Sequence, residues 1–362
     1  MRYALIGCGR ITPNHIVAAK KNNLEFVGLC DIVAENMQDK VKKFELNNVH
    51  QYLNYEEMIE KEKPELVAIA TESGKHAEIA LKCIDAGCHV IIEKPIALSL
   101  KDADAIITNA REKGVKVCAN HQNRFNRSIL KVREAIDKRR FGKLFYGTAH
   151  IRWCRDFEYY SRANWRGTWE QDGGALMNQC IHNIDLLRWM MGDEVEEVVG
   201  MTDRLGHTYI EAEDLGIALV KFKNGSYGII EGTTNIYPQN LEESLYLFGE
   251  KGTVKVGGQS VNKIDVWRFS DSLDNSENII KEFGENPPNI YGFGHTSLYA
   301  DMISAIKDNR EPYVNGEAGR RALELVLAIY KSSKEKRAIK LPLEDCSTMD
   351  FRGLFGERKQ LH

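Results

Sequence analysis

The sequence predicts an α/β protein in two parts. A doubly wound parallel sheet comes first, followed by an α+β domain on an open, mainly antiparallel sheet. Three observations carry this reading. Up to about residue 120, short apolar runs alternate with helix-length amphipathic stretches, the pattern of a parallel sheet covered on both faces. Beyond residue 123, alternating strands follow one another without helices between them, which is the pattern of antiparallel pairing. The 362 residues also exceed what one core usually fills, about 250–300 residues.

In chain order, Tyr3-Ala4-Leu5-Ile6 is the first apolar run, and Gly7-Cys8-Gly9-Arg10-Ile11-Thr12 follows, with a helical pattern after Pro13. A second strand at 24–30 is closed by Asp31, and others are expected at 66–70, 89–92 and 115–119. Helices at 76–86 and 99–113 lie between them, with Ser99 placed to cap the latter. After a helix at 128–139, strands are expected at 145–153, 197–204, 215–222, 227–234, 243–248 and 253–256. Asn224-Gly225 suits the positive φ of a tight hairpin turn. Helices are expected at 177–191, 296–309 and 317–336. The division expected is 1–122 for the first domain and 123–362 for the second, with no internal repeat.

Composition narrows the function classes. Lys and Arg number 49 against 52 Asp and Glu, a net charge of −3, which argues against a partner held by phosphate-backbone attraction, such as nucleic acid, or by a polybasic membrane contact. No apolar run reaches the ~18 residues of a membrane span. The chain runs from Met1 directly into a strand pattern, so a cytoplasmic location is expected. Eight cysteines without a Cys-x-x-Cys pair read as reduced core thiols, and no metal site is expected.

Gly7-Cys8-Gly9 lies between a strand and a helix, where a glycine turn lets a pyrophosphate approach the backbone at the positive end of the helix dipole. Asp31 ends the next strand, where a carboxylate accepts from both ribose hydroxyls and repels a 2′-phosphate. The dinucleotide implied is NAD rather than NADP. Thr12 departs from the Gly or Ala of the usual fingerprint.

Three further groups carry candidate chemistry. Glu93-Lys94-Pro95 closes the fourth strand, and the carboxyl ends of such strands border the ligand crevice. An ammonium at Lys94 would hydrogen-bond a substrate hydroxyl and stabilise a developing alkoxide, and a cis peptide at Pro95 would fix its direction. The plain alternative is a solvated lysine. In the stretch from Gly173-Gly174 to Asp185, Met177, Ile181, Ile184, Leu187 and Met191 form a buried stripe. Asn178, His182 and Asp185 share an adjacent face, and the diglycine is expected to let backbone approach a bound ring. His182 so presented suits a general base, against the plainer reading of a buried histidine bonded to a carbonyl. The third group, Trp153-Cys154-Arg155 through Tyr159-Tyr160 and Trp165-Arg166 to Trp169, interleaves arginines with aromatics. It suits stacking on a base or sugar and gripping a small anion, unless it is merely a packed loop.

Taken together these residues resemble the Gfo/Idh/MocA oxidoreductases over nearly the whole chain. Gly7-Cys8-Gly9-Arg10-Ile11 resembles the family's cofactor turn and Glu93-Lys94-Pro95 its signature tripeptide. Thr71-Glu72-Ser73-Gly74-Lys75-His76 is similar to its loop over the nicotinamide, with Glu72 in place of a proline. Gly173-Gly174 through His182 resembles its catalytic helix, with Asn178 where an Asp is usual. Trp165–Glu170, Gly173–Gln179, Glu250–Gly258 and Tyr291–His295 also resemble the branch of UDP-N-acetylglucosaminuronate 3-dehydrogenases of bacterial surface-polysaccharide synthesis (WlbA type), which tolerates Asn at that position.

The resemblance implies NAD at Gly7, Gly9, Arg10, Ile11, Asp31, Thr71, Ser73, His76, Glu93, Lys94 and Gln122. It implies catalysis by Lys94 and His182, and a UDP-sugar held by Lys94, Arg124, Tyr159, Trp165, Arg166, Asn178 and His182. It further implies a homo-oligomer, dimer or tetramer, formed through the open sheet face, and, from some relatives, reoxidation of bound NADH by 2-oxoglutarate. An inositol or free-sugar dehydrogenase and a non-catalytic NAD- and sugar-binding regulator are the alternatives.

Overall fold

Six strands, all parallel, form the first sheet: β1 (Arg2–Ile6), β2 (Glu25–Cys30), β3 (His50–Tyr52), β4 (Leu66–Ile69), β5 (His89–Ile92) and β6 (Val117–Ala119). The computed structural model describes residues 1–284 and 292–356. The sheet order β3-β2-β1-β4-β5-β6 reverses direction between β1 and β4, the switch point at which open sheets of this kind accept a dinucleotide. The central strands are buried throughout their apolar runs, as strands covered by helices on both faces must be. Ser99 accepts from Asp102 N–H at 3.0 Å to cap the helix Leu100–Lys113, as expected. The sequence reading missed β3, which has three residues, two of them exposed polar groups, and so carries no apolar pattern.

The compact unit around this sheet comprises 1–122 and also 294–320. The expected boundary left the later stretch in the second domain, but its helix Gly294–Lys307 buries Leu298, Tyr299 and Met302. The Tyr299 hydroxyl lies 2.9 Å from that of Tyr3 on β1, Asn22 donates to the Thr296 carbonyl at 3.0 Å, and Ala119 N–H reaches the Val314 carbonyl at 3.0 Å. No break in composition marks this return of the chain.

The second unit, 123–293 with 321–362, is built on eight strands. They are β7 (Leu144–Arg152), β8 (Val195–Asp203), β9 (Leu215–Phe222), β10 (Tyr227–Thr233), β11 (Glu242–Gly249), β12 (Gly252–Gly257), β13 (Lys263–Phe269) and β14 (Ile339–Lys340). Their order is β13-β12-β11-β7-β10-β9-β8-β14, and every neighbouring pair is antiparallel except β7 with β10. Asn224-Gly225 turns β9 into β10, with Gly225 at φ +83°.

One face of this sheet carries the helix Ile181–Met191. Glycines on the strands let it close in, since a Cβ on Gly147 would come within 2.9 Å of Met191 Sδ. The other face is open and apolar. Met201 stands beside Ile217, Val199 beside Leu219 and Tyr227 beside Tyr146, with Met201 77% and Leu219 57% exposed.

All eight cysteines are free and seven are buried. Burial pushes the Cys8 and Cys30 thiols up to about 12, so they are inert. Among the described residues, no helix is long and apolar enough to cross a membrane.

Candidate active site

The turn after β1 is built for close approach. Gly7 has φ +91°, and a Cβ there would lie 2.4 Å from the Ala70 carbonyl oxygen, so only glycine fits. A Cβ on Gly9 would meet no protein atom within 4 Å, so the turn is open on that side. The helix Thr12–Lys21 starts at this point with Pro13 in its first turn. Thr12 is fully buried and donates its hydroxyl to the Gly7 carbonyl at 3.0 Å, closing by a hydrogen bond the contact that Gly or Ala would make by size. Asp31 Oδ2 accepts Cys8 N–H at 2.7 Å, and its Oδ1 accepts Val33 N–H at 2.8 Å and the Asn36 amide at 3.1 Å. Arg10 is exposed and Ile11 half-buried on the rim, and Ile32 beside Asp31 is 86% exposed, an apolar surface the sequence reading did not single out. An open glycine turn at a helix N-terminus with a fixed acid beside it fits a dinucleotide.

At the ends of β4 and β5 a second set of groups gathers. Thr71 is half-buried, and its hydroxyl faces the Glu72 carbonyl at 3.3 Å. Ser73 is buried in a short 3-10 turn that leads into the helix His76–Asp85. His76 Nδ1 lies 2.7 Å from the Pro95 carbonyl and Nε2 3.2 Å from that of Thr71, and burial pushes its pKa below the ordinary value. As a neutral imidazole it has one N–H to give, and the shorter contact assigns it to Nδ1, which holds the Pro95 carbonyl of the tripeptide. The Lys94–Pro95 peptide is cis, and Lys94 itself is half-buried. Gln122 is buried at the start of a 3-10 turn.

Glu93, expected among the cofactor-binding residues, instead turns its carboxylate into the interior. Its Oε1 accepts from His15 Nε2 at 3.0 Å and from the Asn120 amide, and its Oε2 lies 3.3 Å from Lys94 N–H. Burial would raise the Glu93 carboxyl, but the hydrogen bond from His15 and the imidazole of His295, 3.7 Å away, outweigh it and hold the group well below the usual range. His15 Nδ1 in turn lies 2.7 Å from the Tyr299 hydroxyl, so a chain of donors runs Tyr3, Tyr299, His15, Glu93. The ligand atoms of His15, Glu93 and His295 lie within 4.8 Å of one another, but Asn120 Nδ2 sits against both Glu93 Oε1 and His295 Nε2 (3.2 Å from the latter). The cluster is thus knitted by hydrogen bonds around the backbone that carries Lys94.

In the second unit, the expected helix at 177–191 begins with a π-turn, Leu176–Cys180, before the α-helix Ile181–Met191. Such turns frequently mark functional stretches. His182 is buried on the first turn of the α-helix, and Asn178, half-buried, donates its side-chain amide to Asp172. The diglycine serves a different purpose from the one expected. A Cβ on Gly174 would fall 1.5 Å from Glu213 Oε2, so the close approach is to a carboxyl of this chain and not to a bound ring. Glu213 Oε1 accepts from Leu176 N–H at 2.7 Å and the Tyr330 hydroxyl at 2.9 Å, and burial pushes its pKa up to about 8.

Two further expectations are corrected. Asp185, expected beside Asn178 and His182 on a face outside the core, is fully buried, and Arg124 is not held out for an anionic substrate. Arg124 Nε and Nη2 grip the two Asp185 oxygens at 2.7 and 2.6 Å, and Arg188 adds a third contact at 3.0 Å. A lone buried charge is costly, so this arginine's fork is committed to its partner.

The aromatic and arginine cluster does assemble. Arg166 stacks on the Tyr159 ring at 4.3 Å and Arg155 lies over Trp153 at 4.8 Å and Tyr159 at 5.1 Å. Gln179, on the π-turn, donates to the Tyr159 hydroxyl at 3.1 Å, tying the cluster to the stretch that carries Asn178. Trp165 lines a pocket of about 370 Å³ together with Glu170, Glu211 and Arg352. Trp169, by contrast, is wholly buried against Tyr330 and Phe351, which is plain packing.

Comparison with known proteins bears on these features. Residues 1–121 match the model of an oxidoreductase family's NAD-binding Rossmann fold, and residues 133–341 that of the same family's C-terminal alpha/beta domain. The WlbA dehydrogenase from Bordetella pertussis, solved in complex with NADH and UDP-GlcNAcA, is 38% identical, with a TM-score of 0.88 over 95% of this chain and 98% of that one. Its counterpart from Chromobacterium violaceum, solved with the same ligands, is 36% identical, with a TM-score of 0.87 over 95% and 96%. The myo-inositol 2-dehydrogenase of Thermotoga maritima is 26% identical over 354 residues, 94% of this chain and 98% of that protein. With both domain models matched in order and an open glycine turn at the switch point of its parallel sheet, the chain belongs to the Gfo/Idh/MocA family of oxidoreductases and uses NAD.

Proposed function

We propose that the protein oxidises the 3-hydroxyl of a UDP-linked N-acetylglucosaminuronate to the 3-keto sugar, in the synthesis of bacterial surface polysaccharide. The observation that carries this reading is the 38% and 36% identity, over almost the whole chain, to two dehydrogenases solved with NADH and UDP-GlcNAcA. The stacked Arg166, Tyr159 and Arg155 support it, because a nucleotide sugar offers both flat rings and anionic groups.

NAD, when bound, supplies the two-electron acceptor. Gly7 and Gly9 leave room for its pyrophosphate, Arg10 and Ile11 line the rim, and Asp31 takes the ribose hydroxyls. Thr71, Ser73 and His76 shape the nicotinamide end, and Gln122 lies in the same set. His182 accepts the proton of the sugar hydroxyl as the carbon gives up its hydride, so one O–H and one C–H bond break and a C=O bond forms. Lys94 donates to the same oxygen, lowering the cost of its developing charge. Glu93 acts behind Lys94, holding its backbone. Arg166, Tyr159 and Trp165 grip the UDP-sugar, and 2-oxoglutarate would serve as the two-electron oxidant that closes the cycle, its keto group taking up a hydride and a proton to become 2-hydroxyglutarate. Two or four copies associate through the open face of the second sheet.

The test is single-turnover reduction of NAD by the purified protein with UDP-N-acetylglucosaminuronate, alone and with 2-oxoglutarate. The substrate should reduce NAD, and Lys94→Ala or His182→Ala should each lower kcat by ~10²–10⁴-fold. No reduction in either condition, or variants with full turnover, would overturn the reading. The second reading, a dehydrogenase of inositol or a free sugar, rests on the myo-inositol 2-dehydrogenase likeness. Under that reading a neutral polyol reduces NAD, and UDP neither binds nor raises the melting temperature.

A further inference from the structure

The buried polar cluster behind the signature tripeptide has protons enough to fix its charge. The Tyr3 hydroxyl is fully buried and burial keeps it protonated. Among the described residues its hydrogen-bond partner is the Tyr299 hydroxyl at 2.9 Å, so Tyr3 donates there. The Tyr299 proton then goes to His15 Nδ1 at 2.7 Å. A His15 ring that accepts at Nδ1 keeps one proton, on Nε2, and gives it to Glu93 Oε1 at 3.0 Å. His15 is therefore neutral. The Asn120 amide must turn its nitrogen to the same Glu93 oxygen, because a carboxylate has no proton to give, and that nitrogen also meets His295 Nε2 at 3.2 Å. His295 accepts there, and burial pushes its pKa below the ordinary value, so it is neutral as well. Glu93, 7% exposed, takes N–H groups from His15, Asn120 and the Lys94 backbone, a set of donors that favours the anion. The cluster holds one desolvated negative charge at the end of β5.

That charge lies where the cofactor changes its own. Asp31, at the end of β2, marks the adenosine side of the switch point. In the order β2-β1-β4-β5, the nicotinamide half then lies over the ends of β4 and β5. The oxidised ring is a cation and the reduced ring is neutral. We propose that Glu93 tunes the bound cofactor, its buried carboxylate favouring NAD over NADH. The inference rests on this orientation of the dinucleotide within the first unit and on no reading of the sugar. Bracing the backbone alone needs no charge, since a glutamine would accept from His15 and Asn120 equally well, and a buried charge is costly. Of the other titratable groups at these strand ends, His76 is kept neutral by burial, and Lys94 is a cation that opposes Glu93 in every protein compared below.

The deciding variant is Glu93→Gln, which keeps an acceptor for His15 and Asn120 and removes the charge. Dissociation constants for NAD and for NADH are measured separately by calorimetry. The ratio Kd(NADH)/Kd(NAD) should fall about tenfold in the variant. That change raises the potential of the bound two-electron couple by about 30 mV. Glu93→Asp keeps the charge and disturbs the packing, so both constants should rise together, with the ratio within about threefold of wild type. A merely bracing role weakens both forms equally in both variants.

An unchanged ratio in folded Glu93→Gln overturns the inference. Asp31→Ala should weaken NAD and NADH alike. A ratio that moves with Asp31→Ala and not with Glu93→Gln shows that the orientation itself is reversed. Should Glu93→Gln not fold, the charge is read in the wild type by ¹⁵N NMR of its histidines. His15 is expected to carry one ring proton, on Nε2, from about pH 6 to pH 8. A doubly protonated His15 would cancel the Glu93 charge and overturn the inference by itself.

Discussion

Glu213 illustrates what a single side chain can impose. Its carboxyl is buried under Gly174, accepts from Leu176 and Tyr330, and has its pKa raised by burial from 4.5 to about 8. A group whose folded pKa lies above its unfolded one holds its proton in the native state while the unfolded chain has already lost it. Its contribution to stability is therefore full below about pH 4.5 and declines as the pH rises towards 8. Glu213→Gln keeps an acceptor and removes the titration. Thermal unfolding followed from about pH 5 to pH 8 should show the wild type losing melting temperature relative to this variant. Parallel curves would show that Glu213 is ionised throughout. Nothing local in the sequence announces this residue, because its burial depends on distant partners at 174 and 330. Arg124, expected to hold the substrate, and Asp185, expected outside the core, could not be read from sequence for the same reason, since each commits its charge to a partner 61 positions away.

For whole elements, packing against the second sheet decides what can change. The helix Ile181–Met191 and the π-turn before it lie over glycines of β7, β9 and β10, and the close approach at Gly232 leaves no room for a side chain beside Cys180. Gly232→Ala should cost about 1–3 kcal/mol and lower the urea midpoint, with Ile229→Ala on the opposite face of the same strand as the milder reference. Equal midpoints would refute the packing account. Most strands were legible because alternation and apolar runs follow directly from having one or two buried faces. Those that were not legible lacked such a pattern. β14 has only two residues, β3 is a short polar edge, and β13 pairs with β12 through a register shift that breaks the period of two. The π-turn was invisible too, because its apolar spacing differs from an α-helix by only one residue in the ladder.

Across the molecule, the open apolar face of the second sheet bears on assembly. Val199, Met201, Ile217, Leu219 and Tyr227 form a contiguous exposed patch on three adjacent strands. Association through this face should be lost in Leu219→Glu, read as a smaller mass by light scattering with NAD binding retained. A wild-type monomer at micromolar concentration, or an unchanged mass in the variant, would remove that face as the interface. The glycine turn, Asp31 and the Glu93-Lys94-Pro95 tripeptide could be placed from sequence because each sits at a strand end, where position follows from topology. The groups behind them, His15, Asn120 and His295, could not, since only the fold brings 15, 120 and 295 to one carboxylate.

The return of 294–320 to the first unit has a practical consequence for anyone dissecting the protein. A gene cut after residue 122 would not release a free-standing cofactor module. Tyr3 and His15 would lose Tyr299, β6 would lose its bond to Val314, and the interior acid of the signature tripeptide would lose the support of His295. Chimeras that exchange cofactor halves between relatives need to carry both stretches, as two pieces spliced around the substrate half.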